Sequence, residues 1–153
     1  EEGFSVMAHV NGEEPIREAL EAGIDSLEHG FLQTEETLDI LAQCGAVWVP
    51  TLSPVMNQIG DGRFPDEALV AYGQGQMEMI RLALSKGVKL AVGSDAGAYR
   101  VMHAKGLEDE IRWMLEACGD KRLMPAEGKW RKLSAEQSFQ AGAEEIAARF
   151  KRD

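Results

Sequence analysis

Short apolar runs alternate with amphipathic stretches along the chain. Residues 4–8 (FSVMA), 24–28 (IDSLE), 46–49 (AVWV) and 88–92 (VKLAV) read as strands. Between them, apolar residues recur at helical spacing: Ile16, Ala19 and Leu20; then Leu38 and Leu41; then Leu69, Val70, Met77, Ile80 and Leu84; then Leu107, Ile111, Met114, Leu115 and Cys118. Punctuation frames these stripes. Asn11 with Glu14 predicts a capping box, Thr34 and Asp66 predict the next two caps, and Gly23, Gly45, Gly87 and Gly119 predict stops. Gly73 and Gly75 weaken the middle of the third helix. Pro54, Gly60, Gly62 and Pro65 predict a loop over residues 53–65, and residues 93–105 form a second. Residues 120–133 are polar and irregular, and Ser134 with Gln137 opens a last helix carrying Phe139, Ile146 and Phe150.

The resulting order, four β-α units and a terminal helix, predicts an α/β fold with parallel strands and right-handed crossovers. A weak repeat sharpens this. A glycine precedes each strand, at Gly3, Gly23, Gly45 and Gly87. His9, His29 and Thr51 follow the first three by six residues, and Asp95 follows the fourth by eight. Polar, chemically able side chains thus recur where each strand ends. In a parallel layout those ends share one face, and sites form there.

Composition narrows the partners. The chain has 153 residues, 44% of them hydrophobic, which suits one domain. Its net charge of -10 repels phosphate backbones and anionic lipid, so neither nucleic acid nor a membrane is an expected partner. No apolar run approaches the roughly 18–20 residues of a membrane span, and no signal peptide opens the chain, which predicts a cytoplasmic protein. The first residue is Glu1, so a piece of a longer chain is expected. Cys44 and Cys118 are too few for a disulfide framework and predict a buried, reduced pair.

His9 and His29 end adjacent strands, which lie about 4.8 Å apart in a parallel sheet. Two imidazoles there can reach one metal ion, and the curvature of a barrel wall would aim the Asp95 carboxylate at the same point. A carboxylate beside such an ion can take a water's proton and later donate it. The plainer alternative is two satisfied, partly buried histidines and an aspartate that caps a turn. Residues 93–97 (GSDAG) could instead cradle a phosphate, although the lysine and glycine spacing of a P-loop is lacking. His103, Arg100 and Thr51 are candidate substrate contacts; a histidine or arginine in a surface loop is the commoner case. Glu28 is read on the pleat face opposite His29, facing helices or supporting the site.

Ala8-His9, Ser26-Leu27-Glu28-His29-Gly30, Val49-Pro50-Thr51-Leu52 and Gly93-Ser94-Asp95-Ala96-Gly97 resemble, in order and spacing, strands five to eight of the amidohydrolase superfamily. The flavour is similar to its imidazolonepropionase-like and Xaa-Pro-dipeptidase-like members. The resemblance implies that His9, His29 and Asp95 are metal ligands and that Asp95 also activates the attacking water. It implies a divalent metal, zinc ahead of iron, manganese or nickel, and hydrolysis of an amide or related C–N bond in a small molecule. It departs at two elements. No His-x-His pair precedes His9, and no fourth-strand lysine or glutamate is in place.

The expected fold is therefore half of a (β/α)8 TIM-type barrel over residues 1–119, four parallel βα units, followed by a polar connection and C-terminal helix over residues 120–153. Met7, Trp48 and Leu90 are expected on surfaces that need covering, by a missing N-terminal half-barrel or by a second copy. The loop over residues 53–65 is expected to be a mobile lid. The rival reading is a non-catalytic half-barrel that serves as an assembly module.

Overall fold

The computed structural model describes residues 4–118, and the elements below lie in one compact unit, Val6–Leu123. They run β1 (Met7–Val10), α1 (Glu13–Glu21), β2 (Ser26–His29), α2 (Glu35–Cys44), β3 (Val47–Val49), α3 (Ser53–Met56), α4 (Asp66–Ser85), β4 (Lys89–Leu90) and α5 (Lys105–Cys118). All strand pairs are parallel, and the sheet keeps sequence order, β1-β2-β3-β4. The fold is α/β, as the strand–helix alternation predicts. The last predicted helix and the region 120–153 lie outside the described residues.

One core holds the unit together. Ile16 and Leu20 of α1, Leu38 and Leu41 of α2, Met77 and Ile80 of α4, and Met114 and Ala117 of α5 pack with Leu27 and Trp48 of the sheet. Leu27 is level with Ala8 on one side and Trp48 on the other, and Trp48 is level with Leu90. Side chains level with one another share a face, so this row faces the helices. The alternate row, Met7 and His9, Ser26 and Glu28, Val47 and Val49, makes the other face. Met7 is 71% exposed there. A doubly wound sheet buries both faces under helices; here the helical core covers one, the arrangement of part of a TIM barrel.

Several sequence expectations change. Trp48 is fully buried in the helix-facing core, not on the open face, because its partners in register are Leu27 and Leu90. Glu28 is level with His9 and shares its face instead of facing helices; its carboxylate accepts from the Ser26 hydroxyl. In α5 the buried residues are Gly106, Glu110, Met114 and Ala117, while Leu107 and Ile111 are exposed, so the buried stripe is rotated and includes a carboxylate. Both cysteines are free as expected, but Cys44 is exposed.

Helix ends divide similarly. Thr34 caps α2 as read, and Thr37 closes the reciprocal box; Gly45 ends it in the left-handed conformation, φ 75°. Asn11 does not cap α1, whose N-cap is Gly12. Its Oδ1 instead accepts the Phe31 N–H at 3.0 Å, joining the loops that follow β1 and β2. Asp66 is the first residue of α4, and its carboxylate accepts the Gly60 N–H at 2.8 Å. The expected free loop after β3 starts as α3 and is tied down: Asn57 Nδ2 donates to the Arg100 carbonyl at 3.3 Å, and the Arg63 guanidinium lies over the Tyr99 ring at 4.5 Å. Gly73 leaves room for the Met56 side chain, which its Cβ would otherwise overlap. Among the described residues no helix is long and apolar enough to cross a membrane.

Candidate functional site

Regular pleating would send His29 toward the helices, because it is level with Val10, which packs on the core. The backbone prevents this. His29 adopts φ 67°, and this left-handed residue breaks the alternation at the end of β2. Its ring then lies on the side of His9, edge to face, with centroids 4.3 Å apart. Thr51 and Asp95 also take left-handed φ, 50° and 54°, past β3 and β4. A β-branched residue such as Thr51 rarely does so.

The neighbours of His29 fix its backbone and ring. Trp48 Nε1–H and Gln76 Nε2–H both donate to its carbonyl, at 2.9 and 3.0 Å. Its Nδ1 lies 2.6 Å from the Thr51 hydroxyl, which is itself buried. Among the described residues, that leaves Nε2 as the ring nitrogen without a hydrogen-bond partner. Phe31 stacks on the imidazole, centroids 6.2 Å apart and 11° from parallel, and Tyr72 of α4 continues this aromatic wall at 5.3 Å from Phe31. Burial is the main reason His29 is held below the ordinary imidazole range; the His9 ring adds to this, and Asp95 and Glu28 oppose it. A neutral imidazole is the form that binds metals.

Asp95 is near enough to act electrostatically on His29, but it is exposed, in an irregular segment beyond a two-residue β4. Among the described residues no group of three His, Cys, Asp or Glu side chains is gathered to hold an ion. The two imidazoles therefore fit a metal as a partial donor set. Arg100 lies elsewhere. It lines a cavity of about 510 Å³ with Met56, Ile59, Met102, Arg112 and Trp113, which neither imidazole borders. His103 is exposed.

The sequence reading gives no site role to four residues: Trp48 and Gln76 on the His29 carbonyl, Phe31 beside its ring, and Glu110. Glu110 of α5 is fully buried. Its Oε1 accepts the Leu52 N–H at 2.8 Å, and its Oε2 accepts the Ser53 N–H and hydroxyl, each at 2.7 Å. Burial pushes this carboxyl above its usual range, and the three bonds pull the other way. A carboxylate in the buried stripe of α5, four residues before Met114, was the available signal.

No family profile matches the chain. An uncharacterized protein of Mycobacterium tuberculosis is 34% identical over 119 residues, 72% of this chain and 31% of that protein. Ochratoxinase of Aspergillus niger is 30% identical over 95 residues, 59% of this chain and 20% of the enzyme. Among solved structures, a Xaa-Pro dipeptidase with methionine bound in its active site superposes with a TM-score of 0.60 and 32% identity, over 75% of this chain and 29% of its own. An amidohydrolase aligns with a TM-score of 0.60 and 26% identity, over 74% and 28%. The chain spans about a third or less of the length of these relatives.

Proposed function

We propose, because this chain belongs to the amidohydrolase superfamily, that it forms the second half of a (β/α)8 barrel in a metal-dependent hydrolase of amide or related C–N bonds in small molecules. The observation that carries this reading is the His9–His29 pair, brought edge to face at the ends of neighbouring strands by a left-handed residue. His9 and His29 would hold a divalent ion, zinc ahead of other metals because imidazole suits it. When bound, such an ion polarises a carbonyl oxygen and makes water a stronger nucleophile. The water oxygen adds to the carbonyl carbon; the Asp95 carboxylate takes the water's proton and returns it to the nitrogen as the C–N bond breaks. Thr51 holds the His29 ring, and His103, exposed after β4, is assigned to substrate; Arg100, which lines the separate cavity beside Trp113, is not.

The remaining ligands come from a partner half that covers the open face of the sheet. Zinc affinity of this chain alone should accordingly be weak. Calorimetric titration of the chain, His9→Ala and His29→Ala is expected to show a loss of at least about tenfold for each variant, no smaller than losses at residues that merely support a ligand. Equal affinity in all three proteins would overturn the reading, and so would stoichiometric zinc that survives chelator dialysis.

The exposure of Met7 on that open face supports the second reading, an assembly module that pairs with a half-barrel or with a second copy. Light scattering on the chain alone is expected to find self-association. A stable monomer that binds no apolar dye would remove this reading.

A further inference from the structure

The turn after β3 has an unusual anchor. Thr51 holds a left-handed φ of 50°, and Leu52 follows in the right-handed helical region, φ -66° and ψ -30°. Adjacent residues of opposite hand point successive N–H groups into one concavity that favours an anion. Here the anion belongs to the protein. The Glu110 carboxylate, reaching from α5, takes the N–H groups of Leu52 and Ser53 on separate oxygens, and the Ser53 hydroxyl as well. Strained backbone persists where its surroundings over-determine it, and three bonds from one buried carboxylate supply that constraint. One residue upstream, the Thr51 hydroxyl meets His29 Nδ1 at 2.6 Å.

We propose that Glu110 is a positioning residue for the histidine pair: it holds the turn that presents the Thr51 hydroxyl to His29 Nδ1, and so keeps Nε2 as the nitrogen turned to the site. Its consequence for metal rests on the function proposed above, whereas its effect on the ring does not. Glu110→Gln keeps the shape but sets an amide N–H against donors of the turn, so the side chain loses part of its hold. Ser53→Ala removes one bond of the three and leaves Glu110 in place. Thr51→Val removes the contact with the ring outright.

The ring nitrogens of His29 read this directly. Chain labelled with 15N-histidine carries three imidazoles, His9, His29 and His103, which single-histidine variants assign. Spectra are recorded without metal, at one pH above the imidazole range. Thr51→Val sets the position of the unbonded Nδ1 resonance. Glu110→Gln is expected to move that resonance from its wild-type position toward the Thr51→Val position, and Ser53→Ala by a smaller amount in the same direction. Leu38→Ala, a core change between helices and sheet, should leave it in place. If Glu110→Gln does not fold, Ser53→Ala decides alone. A wild-type Nδ1 position in the folded Glu110 variant, or in Ser53→Ala when that variant decides, would overturn the proposal, as would an equal movement in Leu38→Ala. Zinc titration of the same proteins separates the two readings. A moved resonance with no zinc binding in any protein supports the positioning role and overturns the metal function.

Discussion

Replacing Glu110 with alanine is expected to cost about 3–4 kcal/mol of folding stability. The side chain is fully buried, and its removal leaves three donors without an acceptor: the Leu52 N–H, the Ser53 N–H and the Ser53 hydroxyl. A buried unsatisfied donor costs roughly 1–3 kcal/mol. Two effects temper the sum. The Ser53 hydroxyl can turn to the Gly106 carbonyl, 3.3 Å away, and the variant no longer buries a charge. The second makes the penalty depend on pH. Burial raises the folded carboxyl above its unfolded value, so between those two values the folded state binds the proton more tightly. Stability from this group is then fully present below the unfolded value and declines as pH rises through the folded one. Urea unfolding of both proteins should therefore give a larger difference near pH 5 than near pH 7 if the unfolded carboxyl titrates at its ordinary value of about 4.3. A difference under about 1 kcal/mol at both would mean that the turn after β3 finds other acceptors.

Trp48→Ala should cost as much or more, about 3–5 kcal/mol. The indole is fully buried between the sheet and the helices, so truncation removes its packing and leaves a cavity. It also removes the N–H that holds the His29 carbonyl at 2.9 Å. Trp48→Phe isolates the second effect: it keeps most of the apolar surface and should cost about 1–2 kcal/mol more than packing alone, close to one buried hydrogen bond. Gln76 still donates to that carbonyl, so the left-handed His29 should survive in the phenylalanine variant. Urea midpoints for the two variants check this. A phenylalanine variant as damaged as the alanine one would place the indole N–H, not the packing, in control of this region.

Much of this was legible from residue order. Alternating strand and helix patterns predict the parallel sheet, and Thr34 and Gly45 mark the ends of α2 because caps are local chemistry. Faces and register were not. Strands of two to four residues are too short for a period of two to declare a side, so Trp48 was read on the wrong face. The spacing from each glycine set His9 level with His29, but the sheet pairs His9 with Glu28; a left-handed residue, invisible in the sequence, brings the rings together. Glu110 goes unnoticed in the sequence because its partners, Leu52 and Ser53, lie more than fifty residues earlier. The family motifs reached the histidines but carry no information about what holds them.

Because, among the described residues, each strand pairs only with its neighbour in sequence, the sheet is a ladder of successive rungs. Its first two pairings join residues about twenty positions apart, as in Met7 with Ser26 and Ser26 with Val47. The last, Val47 with Lys89, closes a span about twice as long and holds only two paired positions. Closing a longer loop costs more entropy, and a shorter ladder returns less for it. The β1–β2 and β2–β3 pairings are thus the cheaper ones to close. In amide exchange, β4 should open first, carrying away the segment that bears Asp95 while the two histidines stay in register.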